Sequence, residues 1–318
     1  MKNQKFQKIG IIGSPIDYSS FGHQTGCNAG PAAIRQGGLL RALQKFCLDF
    51  CDYGDITVPP AGGIQNKRLK YLPEIAKANA ELYALTTRCL KEGNFPLVLG
   101  GDHSAVIGSI KAVNDFYNGK AGLLWVDSHP DCNNQTTTTS GNIHGMVVPQ
   151  ITDGGTEDLM KIGCSRVKFS SMAFLGVKNA DQAELSFIVK NKIKKADVWD
   201  ITKQGISPVV KKIIKYLSKN NKKTYVSWDL DVIDIQYAPG VGTPTYGGLT
   251  YREALYFSRI LRELKQKGLL AGLDIVELNP NADENKKTTA LAVELIMSVL
   301  GYEYGPFAIF RDNRRPIE

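Results

Sequence analysis

Leu124-Trp-Val-Asp-Ser-His-Pro-Asp131 decides how the chain reads. Three apolar residues run into Asp127, His129 and Asp131, spaced two apart. In an extended backbone all three polar side chains would share one face. Carboxylates and an imidazole ending an apolar strand are costly to bury unless they are paired or hold a cation. Gly100-Gly-Asp-His-Ser104 and Ser227-Trp-Asp-Leu-Asp231 match, each following an apolar run. The pattern predicts one metal site assembled from three strand ends.

Working outward, apolar runs that predict strands lie at 8–15, 49–53, 95–100, 121–126, 172–176, 224–227 and 269–275. Helices are predicted between them. Pro31 sits well in the first turn of a helix running to about Phe46. Pro73 opens a long one whose apolar positions Ile75, Ala78, Leu82, Leu85 and Cys89 recur with helical spacing. Further helices are predicted at 104–115, 182–190, 207–218, 250–266 and 287–300. Strands alternating with helices predict right-handed βαβ units and a mainly parallel sheet covered on both faces. Ligands of such sheets bind beyond the carboxyl ends of the strands, where each polar motif falls. With no linker, repeat or extended low-complexity segment, residues 1–318 read as a single domain.

Composition excludes several classes. The chain has 318 residues, 43% hydrophobic and 22% charged, ordinary values for a globular protein with a large core. Its net charge of +8 invites a nucleic-acid reading, but the lysines of 190–195, 211–223 and 286–287 lie in separate polar segments. They form no basic stripe interleaved with aromatics. The first seven residues are polar, and no apolar span reaches the roughly 18 residues a membrane helix needs. Neither a signal peptide nor a membrane association is expected. Six cysteines in a chain of this size suit reduced thiols and a cytoplasmic location.

The groups at predicted strand ends are His103, Asp127, His129, Asp131, Asp229 and Asp231, with Asp234 close by. His23, in the loop before Pro31, is left without a role. Two imidazoles and four carboxylates suit manganese(II), with cobalt(II), iron(II) or zinc possible, and no thiolate set favours a structural zinc site. Four carboxylates in one cleft repel one another, and two divalent cations would nearly cancel them. Paired ions of this kind activate water for hydrolysis.

These stretches, with Gly141-Asn-Ile-His-Gly145, Ser227-Trp-Asp-Leu-Asp-Val-Ile-Asp234, Gly247-Gly-Leu-Thr-Tyr-Arg-Glu253 and Leu273-Asp-Ile-Val-Glu-Leu-Asn-Pro280, resemble the ureohydrolase family in order and spacing. The likeness runs from about residue 8 to about residue 300. It implies a three-layer α/β/α fold with an eight-stranded, mainly parallel sheet, two manganese ions, hydrolysis of a guanidinium group to release urea, and a homo-oligomer, trimeric or hexameric. Carried over, His103, Asp127, Asp131 and Asp229 would hold one ion. His129, Asp127, Asp229 and Asp231 would hold the other, so that Asp127 and Asp229 bridge. Water activated between the ions would attack the guanidinium carbon. Asp131 would orient that water, Glu277 would pair with the guanidinium and His144 would shuttle protons.

Within that family the substrate loop is most similar to that of arginases. Asn133, Thr138, Ser140 and Asn142 fall where arginases receive the α-carboxylate, and Asp181 and Glu184 where they receive the α-ammonium. The resemblance adds Thr243 to the substrate contacts. L-arginine, giving ornithine and urea, is therefore expected ahead of agmatine, guanidinobutyrate or formiminoglutamate. A non-catalytic homologue is disfavoured by the complete ligand set with His144 and Glu277. The chain departs from the family pattern at Ser128, usually Ala, at Pro130, usually Thr, and at Ile235, usually Pro. Met146-Val147, after His144, also differs.

Overall fold

Ala121-Gly-Leu-Leu-Trp-Val126 forms strand β4 with every residue buried. Leu124 and Val126 enter one hydrophobic core and Leu123 and Trp125 the other. Alternation along a strand sends neighbours to opposite faces, so a continuous apolar run belongs to a strand covered on both sides. The computed structural model describes residues 6–19, 26–219 and 221–302; His23 lies outside them.

The strands are β1 (Ile9–Ser14), β2 (Phe50–Asp55), β3 (Phe95–Gly100), β4, β5 (Met172–Val177), β6 (Lys194–Asp197), β7 (Lys223–Asp229) and β8 (Leu270–Val276). They make one eight-stranded sheet in the order β2-β1-β3-β8-β7-β4-β5-β6. Every pairing between neighbours is parallel. The centre of the sheet is thus β3, β8, β7 and β4, with the consecutive strands β7 and β8 inserted between β3 and β4.

The helices are α1 (Gly30–Ile34), α2 (Leu40–Lys45), α3 (Leu72–Lys91), α4 (Ile107–Phe116), α5 (Val147–Ile151), α6 (Glu157–Met160), α7 (Gln182–Lys190), α8 (Val198–Gln204), α9 (Ile206–Leu217), α10 (Tyr251–Gln266) and α11 (Lys287–Leu300). Those from α3 to α7 cover one face of the sheet. The pair α1 and α2, with α8 to α11, covers the other. The result is the expected three-layer architecture. No helix among the described residues is long and apolar enough to cross a membrane.

Some segments differ from the sequence reading. The helix expected from Pro31 to about Phe46 is broken by a π-helical turn, Arg35–Leu39, where Gly38 takes φ 123°. Adjacent glycines at 37 and 38 permit that kink. The edge strand β6 and helix α8 had no apolar signature, because Lys194-Lys-Ala-Asp197 pairs with β5 alone. Asp197 nonetheless starts α8 with a capping box, its carboxylate accepting from the Asp200 N–H.

The candidate metal centre

His103, Asp127, Asp131, Asp229 and Glu277 all lie within a few residues of the carboxyl ends of β3, β4, β7 and β8, and the order of the sheet brings them together. The segment after β4 does not stay extended. Asp131 sits at φ 49°, a left-handed turn that returns its carboxylate to the cleft, where its Oδ2 lies 3.2 Å from His103 Nδ1. Glu277 also takes a left-handed backbone, φ 66°. Its close neighbour is Gly242, where a Cβ would stand 2.3 Å from Glu277 Oε2. Any larger residue there would displace the carboxylate.

Two groups of ligand-type atoms, each within 4.8 Å of one another, share Asp127: His103 with Asp127 and Asp131, and His129 with Asp127 and Asp231. Asp127 Oδ2 lies 2.9 Å from His103 Nδ1, while its Oδ1 faces His129 Nδ1 at 3.6 Å. Asp231 Oδ2 is 2.9 Å from His129 Nδ1. Asp229 points one oxygen at His103 Nδ1, 3.2 Å away, and its other oxygen accepts from the Asp231 N–H at 2.7 Å. The buried His103 Nδ1 has three carboxylate oxygens within 3.2 Å but no directed hydrogen bond to any of them. A ring nitrogen facing oxygens in this manner fits a shared cation better than a proton. Asp234 stands apart, its carboxylate accepting from the Gln236 and Gly247 N–H groups.

The electrostatics agree. Burial, with Asp231 and Asp127 nearby, drives the Asp229 carboxyl well above its usual range. Burial likewise lifts Asp231 to about 6, against the pull of His129. Burial opposes charging of His129, yet Asp231 and Asp127 outweigh it and push the imidazole up to about 12. Asp127 is held low despite its burial, because two imidazoles face it.

Behind the cluster lies a supporting layer absent from the sequence reading. His103 Nε2 meets Ser227 Oγ at 3.0 Å, and Ser227 donates to Asp274 Oδ1 at 2.8 Å. The Trp125 ring stacks on His103 with centroids 4.0 Å apart and donates Nε1–H to Asp127 Oδ2 at 3.1 Å. Such outer partners fix ring orientation and tautomer. Trp125 and Ser227 stood inside the quoted motifs, and only alternation along their strands could have singled them out. Cys27, on the first loop, brings its thiol 3.6 Å from Glu277 Oε2.

A cavity of about 230 Å³ opens over the cluster, lined by His103, His129, Asp131, His144, Asp229, Asp231 and Glu277 together with Asn133, Glu184 and Thr243. Glu277 Oε1 accepts from the His103 N–H at 2.9 Å and lies 3.5 Å from His144 Nδ1. Asn133 donates to Asp181 Oδ2 at 2.8 Å. Asp181 and Glu184 form the capping box of α7, and Glu184 also accepts from the Cys132 N–H. Thr138, Ser140 and Asn142 do not line the cavity. Thr138 and Ser140 accept from backbone N–H groups of their own loop, and Asn142 donates to the Ser19 carbonyl. Thr243 donates to Asp231 Oδ2 at 2.7 Å.

A parallel α/β sheet carrying this cleft at its carboxyl edge defines an enzyme of the ureohydrolase class, which acts on guanidino groups. The family model described as the arginase family matches residues 7–301. Arginase of Staphylococcus aureus is 37% identical over 303 residues, 93% of this chain and 98% of that protein. The solved arginase of Bacillus caldovelox superimposes with a TM-score of 0.88 at 36% identity, over 93% of this chain and 99% of that one. The arginase of Entamoeba histolytica, solved in complex with L-ornithine, gives a TM-score of 0.86 at 27% identity, over 94% and 100%. The chain belongs to the arginase family.

Proposed function

We propose that the protein hydrolyses L-arginine to L-ornithine and urea at a pair of manganese ions, with cobalt the alternative metal. The observation that carries the reading is the shared cavity: Asn133 and Glu184, amino-acid-end candidates, line the same space as His103, His129 and Glu277. Relatives named arginase support it, as does the ornithine-bound Entamoeba protein. An all-oxygen and imidazole donor set suits manganese. His103, Asp127, Asp131 and Asp229 would hold one ion, and His129, Asp127, Asp229 and Asp231 the other. When bound, such ions lower the pKa of water between them and so supply a nucleophile near neutral pH.

The remaining roles belong to side chains. Glu277 is buried and faces the cavity, so its carboxylate can pair with the planar guanidinium and present its carbon to the cluster. Burial opposes charging of His144, but Glu277 at 3.5 Å overrides it and raises the imidazole to about 9. The protonated ring then has a proton to give to the departing amino group. Asn133 and Glu184 line the cavity, linked through Asp181, which does not line it, and are able to take the charged amino-acid end; Thr138, Ser140 and Asn142 shape the loop beside it.

Urea release measured with arginine and agmatine, in manganese, cobalt and zinc, tests this. Arginine in manganese is expected to turn over fastest. Preference for agmatine would overturn the substrate, and no urea with any metal would overturn the reaction.

A further inference from the structure

Ser128 lies between Asp127 and His129 with no accessible surface. Its hydroxyl is 3.0 Å from the Asp231 carbonyl oxygen and 3.1 Å from Thr245 Oγ1, and Thr245 Oγ1 is itself 3.1 Å from the same carbonyl. Two hydroxyls carry two protons, and a carbonyl oxygen has two lone pairs. Both donors can therefore converge on Asp231. The Ser128 N–H reaches Asp231 Oδ1 at 3.3 Å, and Thr243 holds Oδ2 from the other side at 2.7 Å. Asp231 is thereby fixed at its backbone and at both carboxylate oxygens, leaving Oδ2 facing His129 Nδ1.

We propose that the paired hydroxyls of Ser128 and Thr245 are a latch that positions Asp231, and so set the affinity of the metal position formed with His129. The inference rests on the two-ion reading above. Its selectivity follows from connectivity. His129 is the next residue to Ser128, and Asp231 is the latch's acceptor. His103, which belongs to the other position, takes its orientation from Ser227 and from the Trp125 ring. Alanine at 128 could make neither hydroxyl contact.

Calorimetric titration of the metal-free full chain with manganese tests the latch without recourse to turnover. The wild type is expected to bind two ions in distinguishable steps. Ser128→Ala and Thr245→Val should each weaken one step about tenfold or more, the loss typical of outer-shell partners, and leave the other within about twofold. Thr245→Ser, which keeps the hydroxyl, should titrate like the wild type. This pair carries the test if Ser128→Ala does not fold. Equal weakening of both steps, unchanged titrations in both variants, or failure of Thr245→Ser to retain affinity would overturn the latch alone. A single ion bound by the wild type would overturn the two-ion reading and the latch with it.

Discussion

Two buried sites among the described residues carry charge of opposite sign. At the cleft, Asp127, Asp131, Asp229 and Asp231 converge on two imidazoles. On α4, the Lys111 side chain is fully buried, and its Nζ has no hydrogen-bond partner among the described residues. The amide of Asn114, one turn on, is equally unpartnered. Burial, aided by the charge of Arg166, pushes the Lys111 ammonium down to about 8. The two sites answer their charge differently. The cleft gathers ligand-type atoms from the ends of three strands around the Asp127 carboxylate, which fits a cation from outside. Around Lys111 the Asp115 charge pulls the other way without overcoming burial, and no carboxylate makes a hydrogen bond to Nζ, so its charge is a cost with no chemistry attached. A buried charge marks a functional site only when its neighbours converge on it.

The largest expected effect breaks the cleft's side of this contrast. Asp127→Ala removes a carboxylate that faces both histidines, so affinity for both ions should fall more than about a hundredfold, beyond the loss typical of outer partners. Metal content after dialysis reads it directly, and two retained ions would show that Asp127 is not shared. Glu277→Gln, next in size, separates substrate pairing from metal binding. Turnover should drop about a hundredfold or more, as when a transition-state partner is lost, with both ions retained. Undiminished turnover would refute the pairing role.

The smallest expected effect falls on the other region. Lys111→Met removes a buried ammonium at similar volume, and should stabilise the fold by about 1–3 kcal/mol at pH 7. In the unfolded chain this lysine titrates near 10.5 and in the folded chain near 8. Between those values the unfolded chain holds a proton the folded one has shed, so wild-type stability gains from this group as pH rises through the window. The advantage of the variant should shrink accordingly, which denaturant unfolding at pH 7 and pH 10 will show. A variant less stable at pH 7 would mean that Lys111 has a partner and that the contrast fails.

Much of this was legible beforehand. Strands β3 and β4 begin and end where their apolar runs do, because a strand buried on both faces must be apolar throughout. His103, His129 and the four aspartates were legible because charged groups directly after such runs have few uses. Strand β6 was not, since an edge strand draws stability from backbone pairing and tolerates lysines. Nor were α5 and α6, of five and four residues, too short to hold by propensity alone. The hydroxyls of Thr138 and Ser140 could not be read either. Spacing in a polar loop does not say whether a side chain faces a ligand or its own backbone.

The sequence by itself determined which residue types end the strands, and hence that the chain would carry a cluster of carboxylates and imidazoles at one edge of a parallel sheet. Alternation and turn residues act locally, so they are written locally. Only the tertiary structure decided that β3, β8, β7 and β4 lie side by side, that Asp127 divides its two oxygens between two histidines, and that Asp131 turns back through a left-handed backbone to meet His103. Those outcomes depend on strand order and on ångström-scale distances between separate segments of the chain. Ser128, a local departure within the opening motif, acquired its latch partners Asp231 and Thr245 in the same way.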